Sequence, residues 1–77
     1  MKVNKEELRK LIAEVLEMEA EDIDDETDFN KDLAINSLQM LDMVAEIEDN
    51  YDLIIEHNEI RNMTNINKIA EALEKRI

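Results

Sequence analysis

The residues that usually form nucleophile–base pairs are scarce in this sequence. It has no cysteine, a single histidine, His57, and no serine other than Ser37. Without cysteine there is no disulfide framework, no thiolate metal site and no thiol nucleophile. If the protein handles thioesters, the thiol has to arrive on a prosthetic group. A Ser-His or Cys-His catalytic pair has little support, and His57 reads as a surface residue in a loop or at a helix start. Ser37 is the more informative of the two. It follows Asn36 where a long acidic run gives way to an amphipathic helix. Unpaired backbone N–H groups and the positive end of the helix dipole favour a negative group there, so a phosphate ester on Ser37 Oγ sits in a favourable field. Asn and Ser also gather at helix starts as ordinary caps, and taken alone the pair reads that way. The aspartates upstream raise the question of calcium. An EF-hand frame begun at Asp22 puts Thr27 where glycine is needed and Leu33 where the bidentate glutamate is needed. Frames from Asp24 and Asp28 fail at the same two positions, so no dedicated metal site is expected.

The elements that must position Ser37 follow from apolar spacing. A first helix is predicted over about Asn4 to Met18, with Asn4 as cap and Glu7 in capping-box spacing. Its stripe is Leu8, Leu11, Ile12, Val15 and Leu16, with Glu6 and Lys10 as an i,i+4 pair. Residues 19–36 form a long acidic connection pinned by Ile23, Phe29, Leu33 and Ile35. A second helix spans about Ser37 to Asn50. Leu38, Leu41, Val44, Ala45 and Ile47 make its stripe, and Met40 and Met43 widen it. So broad an apolar side leaves Leu38 and Met40 or Leu41 partly exposed, which suits a transient partner. Tyr51 to Ile55 has strand-like content but no second strand to pair with. It reads as an extended loop tucking in Leu53 and Ile55. A short third helix near Glu56 to Asn62 buries Ile60. Thr64 and Asn65 then cap a fourth, about Ile66 to Arg76, with Ile66, Ile69, Ala70, Leu73 and Ile77 inward and a Glu71–Lys75 pair outward. The fold class is all-α, a four-helix up-down bundle with three longer helices and a short third one.

Composition agrees. Seventy-seven residues suit one small domain spanning 1–77, and 44% hydrophobic content supports a modest core despite 39% charged residues. Glycine and proline are absent and aromatics are 3%, which favours helices joined by polar loops. No apolar run approaches a membrane span and no signal peptide is evident, so a cytoplasmic protein is expected. Net charge is −12, and residues 11–60 hold seventeen Asp/Glu against one base, Lys31. Such a field repels nucleic acid and anionic membranes and steers toward basic partner surfaces. The same charge also serves simply to keep a small domain in solution.

Asp32-Leu33-Ala34-Ile35-Asn36-Ser37-Leu38 resembles the attachment site of acyl carrier proteins, which usually read Asp-Leu-Gly-x-Asp-Ser-Leu. Thr27-Asp28-Phe29-Asn30-Lys31-Asp32-Leu33 is similar to that family's preceding loop. The second helix through Ile55 resembles its acidic recognition helix and the following loop. Met63-Thr64-Asn65-Ile66-Asn67-Lys68-Ile69 looks like the start of its last helix. The likeness covers nearly the whole chain in order. It implies a non-catalytic carrier of acyl intermediates, held as thioesters on a 4′-phosphopantetheine arm that a phosphopantetheinyl transferase attaches to Ser37 from coenzyme A. It also implies docking through Leu38, Gln39, Leu41, Asp42, Ala45, Glu46, Glu48 and Asp49 onto basic rims of acyl-handling synthases and transferases. The protein is expected to act as a monomer. Fatty acid or related biosynthesis is the expected setting. A specialised polyketide or aminoacyl carrier, or an unmodified interaction module of the same fold, is the alternative. An interior lined by Met43, Val44, Ile47, Ile60, Ile69 and Leu73 either shelters a fatty chain or serves simply as core.

Three departures stand out. Ala34-Ile35 occupies the usual Gly-x, Glu56-His57 replaces a proline after the second helix, and Asn36 replaces Asp. Asn36 still caps, but it cannot pair ionically with the transferase's basic side chain, so slower loading by a general transferase is expected.

Overall fold

Asparagines set where the longer helices begin. In the computed structural model, which describes residues 3–76, Asn4 Oδ1 accepts the backbone N–H groups of Glu6 at 3.0 Å and Glu7 at 3.2 Å, starting α1 (Lys5–Leu16). Asn36 starts α2 (Ser37–Tyr51), and Asn65 starts α4 (Ile66–Glu74) by accepting the Lys68 N–H at 2.8 Å. Between these lie a 3₁₀ turn (Ala20–Asp22) and the one-turn α3 (His57–Ile60). The all-α bundle is as expected, with no strand among the described residues.

α1, α3 and α4 stop short of their predicted ends, whereas α2 runs one residue past its own. α1 closes at Glu17, whose φ of 57° is left-handed, with the Met18 N–H donating to Ala13 O at 2.8 Å and the Glu17 N–H to Glu14 O at 3.2 Å. This is the closing pattern that glycine usually makes, taken here by a residue with a Cβ. α2 ends the same way at Asp52. α3 is shorter than the predicted Glu56 to Asn62. It buries no residue, and Ile60 is only partly covered because a single turn lying on the rim cannot bring it inside. α4 ends before the predicted Arg76, and Ile77 lies outside the described residues.

The core gathers Leu8 and Ile12 of α1, Met43 and Ile47 of α2, and Ile66, Ile69 and Leu73 of α4, all without solvent exposure. α1 packs on both α2 and α4. On α2 the predicted Met43, Val44 and Ile47 are buried, with Met40 and Tyr51 partly covered beside them. Leu38 and Leu41 are exposed, as the breadth of the apolar side implied, and of the predicted stripe only Ala45 unexpectedly faces out. The covered and the exposed residues both fit helical spacing, and only the neighbours decide between them. Met43, Val44, Ile47, Ile69 and Leu73 are packed core, so an acyl chain inside would have to part side chains already in contact.

The acidic connection is held firmly. Ile23 and Phe29 are fully buried, and Leu33 and Ile35 partly so. The Phe29 N–H donates to Thr64 O at 2.9 Å and the Asn67 N–H to Asp25 O at 3.1 Å, tying the loop to the start of α4. Arg9 donates to Asp25 and to Glu6, the latter at 3.2 Å, replacing the predicted Glu6–Lys10 pair. Arg76 pairs with Glu59 and donates to Ile54 O at 3.3 Å, and the predicted Glu71–Lys75 pair does not form among the described residues. In both cases the guanidinium fork reaches two acceptors at once, which an ammonium on a shorter lateral path does not match. After α2 the chain runs extended, with Ile55 buried, Leu53 partly covered and Ile54 76% exposed.

Two expectations about stability follow. Ala34 has φ of 51°, a left-handed conformation that costs a residue with a Cβ roughly 1–2 kcal/mol. Ala34→Gly removes that cost and returns about 0.4–1 kcal/mol to the unfolded chain, so a net gain of about 0.5–1 kcal/mol in urea unfolding is expected, with Ala34→Val moving the other way. Burial, and secondarily the Glu7 carboxylate, raise the Tyr51 phenol above its ordinary pKa. The folded chain therefore keeps this proton after the unfolded chain has lost it. Its contribution is intact below about pH 10 and is lost as pH climbs through the folded value. Tyr51→Phe should flatten that alkaline loss in a pH series of unfolding midpoints; parallel curves for the two proteins would contradict it.

Candidate functional site

The approach to α2 is built from aspartates that bond their own backbone. Asp28 Oδ1 accepts the N–H groups of Asn30 and Lys31, each at 2.8 Å, and Asp32 Oδ2 accepts the Asp28 N–H at 2.9 Å. The Ile35 N–H then donates to Phe29 O at 3.1 Å. With Phe29 locked in the core, this turn and the left-handed Ala34 aim the chain at the helix start.

There Asn36 and Gln39 exchange hydrogen bonds. The Gln39 N–H donates to Asn36 Oδ1 at 2.8 Å, and the Asn36 N–H donates to Gln39 Oε1 at 2.9 Å. Capping is thus complete without Ser37, the first helical residue, which is exposed. The result is an accessible hydroxyl at the positive end of a fifteen-residue helix, beside backbone N–H groups that have no partner within the helix. Gln39 was expected on a docking face; half of its polar group is committed to the cap. The Asn-x-x-Gln spacing carried that signal in the sequence.

Beside Ser37 opens a groove of about 470 Å³ between the loop, α2 and α3. Ile35, Met40, Leu41 and Ile60 form its apolar wall, and Asn30, His57 and Arg61 its polar side. Its volume falls in the range of ligand clefts. No apolar periodicity points to it, because it exists only where three separate segments meet.

Along α2, away from the core, Leu38 is 67% and Leu41 52% exposed. Asp42, Ala45, Glu46 and Asp49 lie on the same outer side and are exposed. Glu48 is half-buried, and its Oε2 accepts the Ile55 N–H at 2.8 Å, holding the connection to α3. His57 opens α3 and is exposed. Among the described residues no group of histidine, cysteine and carboxylate side chains is arranged to hold a metal, and no helix is long and apolar enough to cross a membrane.

Comparison with known proteins gives a consistent result. The family model for the phosphopantetheine attachment site matches residues 6–73. Polyketide-8 synthase acyl carrier protein 2 of Streptomyces avermitilis is 29% identical over 75 residues, covering 97% of this chain and 86% of that protein. An acyl carrier protein of an Exiguobacterium species is 25% identical over 71 residues, covering 92% and 90%. One from Saccharopolyspora erythraea is 27% identical over 66 residues, covering 86% and 70%.

The cap makes its own prediction. Asn36→Ala removes the acceptor for the Gln39 N–H and is expected to lower stability in urea by about 1 kcal/mol. Asn36→Asp keeps an acceptor and adds a charge that the dipole favours, so it should unfold no earlier than the parent.

Proposed function

The chain belongs to the phosphopantetheine attachment site family and is a non-catalytic carrier of acyl groups on that arm; we propose that Ser37 is its attachment point. The exposed Ser37 hydroxyl at the mouth of a helix whose cap is already complete carries this reading. The residues present fit the arm. The hydroxyl needs no rearrangement to be reached, the helix end favours the phosphodiester that forms on it, and an open groove lies alongside. In loading, Ser37 Oγ displaces the adenosine bisphosphate half of coenzyme A at phosphorus, its proton passing to the transferase. When attached, the arm supplies a thiol that holds acyl groups as thioesters. The protein's own part is to present that thiol at high local concentration to each partner.

Asp42, Glu46 and Asp49 serve as the charged docking rim, with Leu38, Leu41 and Ala45 as its apolar contact. Glu48 lies at its edge. Exposed ion pairs are individually weak, which suits a carrier that must release each partner. Fatty acid or related biosynthesis is the setting we favour, in a monomer that works in the cytoplasm and uses no metal. The similarity to an acyl carrier protein named for polyketide synthase, together with Asn36 in place of the usual aspartate, supports a specialised polyketide carrier as second reading.

Incubation with coenzyme A and a broad-specificity phosphopantetheinyl transferase should add one phosphopantetheine by intact mass, and Ser37→Ala should abolish it. A parent chain that stays bare is an unmodified interaction module. Asn36→Asp is expected to speed loading, and an unchanged rate would discard the role given to the missing charge. Neutralising Asp42, Glu46 and Asp49 together should slow partner association and reduce its dependence on salt.

A further inference from the structure

The charge around Ser37 runs against the rest of the molecule. The chain has 21 acidic residues, yet among the described residues no carboxylate lines the groove beside this serine. Instead it holds Arg61, the only lysine or arginine between Lys31 and Lys68, and the only histidine, His57. These two are four positions apart on α3 and its helical end residue, so they share one side. The three arginines are also used differently. Arg9 is paired with Glu6 and Asp25, and Arg76 with Glu59. Arg61 forms no ion pair among the described residues and is exposed. Glu59, the carboxylate nearest to it in sequence on α3, is drawn off by Arg76. Arg61 thus lines the same groove as Ser37 and has no ion-pair partner among the described residues.

We propose that Arg61, assisted by His57, is a binding site for the phosphodiester of the arm carried on Ser37, holding the arm along the groove between α2 and α3. This rests on Ser37 being the attachment point. A phosphodiester is an anion with acceptor oxygens suited to a guanidinium fork, and the imidazole adds an N–H donor. Tethering to Ser37 Oγ keeps that anion beside the groove at high effective concentration, so an exposed and individually weak contact is populated. Beyond the phosphodiester, Met40, Leu41 and Ile60 offer the apolar wall over which the arm lies. Arg61 and His57 act here as positioning residues with no part in chemistry.

The test compares the unloaded chain with the phosphopantetheine-loaded chain, loading being established first by intact mass. Arginine side-chain N–H resonances are followed, with Arg9 and Arg76 as internal controls. Loading is expected to move the Arg61 Nε–H resonance and the His57 ring signals while Arg9 and Arg76 stay in place. Salt on the order of 1 M, where the Debye length is about 3 Å, should reverse most of that displacement. Phosphorus NMR of the loaded Arg61→Gln chain should show the phosphodiester resonance shifted to the position of a solvated phosphodiester. If the chain loads and Arg61 does not respond, the site is wrong while the carrier reading stands. If Arg61 responds only when the thiol bears a carboxylate-ended acyl group, it reads the cargo and the proposal is overturned. Failure to load at all removes the premise instead, and mass reports that separately.

Discussion

The reciprocal hydrogen bonds between Asn36 and Gln39 are the constraint on which the site depends. A helix start leaves several N–H groups unpaired, and whichever side chain caps them is drawn back onto the backbone. Had Ser37 been the cap, its hydroxyl would be engaged with the helix and turned away from reagents. With Asn36 doing that work and Gln39 closing the box, the serine moves one position into the helix, where the residue is exposed. Accessibility of the hydroxyl is therefore a consequence of which neighbour caps.

That cap is useful only if the chain arrives at it in one orientation, and the long loop ensures this through the core. Phe29 and Ile23 are buried, Phe29 bonds to Thr64, and Asp25 is held by Arg9 and Asn67. A loop of this length would otherwise be free to move, and ordering it costs conformational entropy that a few buried apolar side chains must offset. Lacking glycine, the chain also places Glu17, Ala34 and Asp52 in left-handed conformations where glycine would be at ease. Two of these close helices, and the third turns the loop into Ser37. The local strain at Ala34 is tolerated because the residues on both sides are fixed by tertiary contacts.

Charge divides the molecule by role. Carboxylates on the outer side of α2 meet solvent beside exposed Leu38 and Leu41. Glu48 belongs to the same acidic run but turns inward to the Ile55 N–H, so a count of acidic residues overstates that surface by one. Beside Ser37 the groove is lined, among the described residues, by no carboxylate and by Arg61, which forms no ion pair among them.

Much of this was legible in the residues themselves. Apolar spacing and asparagine caps located α1, α2 and α4, because period and capping are local properties of the chain. Ser37 at a helix mouth was equally plain, and so was the resemblance of its surroundings to a carrier protein's attachment segment. What only the tertiary structure decided were the choices between locally equivalent options. α2 offers an apolar side broader than one stripe, and packing against α1 decided that Met43, Val44 and Ile47 are buried with Met40 partly covered while Leu38, Leu41 and Ala45 stay outside. Arg9, besides Glu6 on its own helix, found an acceptor far away in sequence at Asp25, and Arg76 found one at Glu59. The groove beside Ser37 has no counterpart in any single segment. It joins residues of the loop, α2 and α3, and contact between distant parts of a chain is set by how the core closes and not by any local pattern.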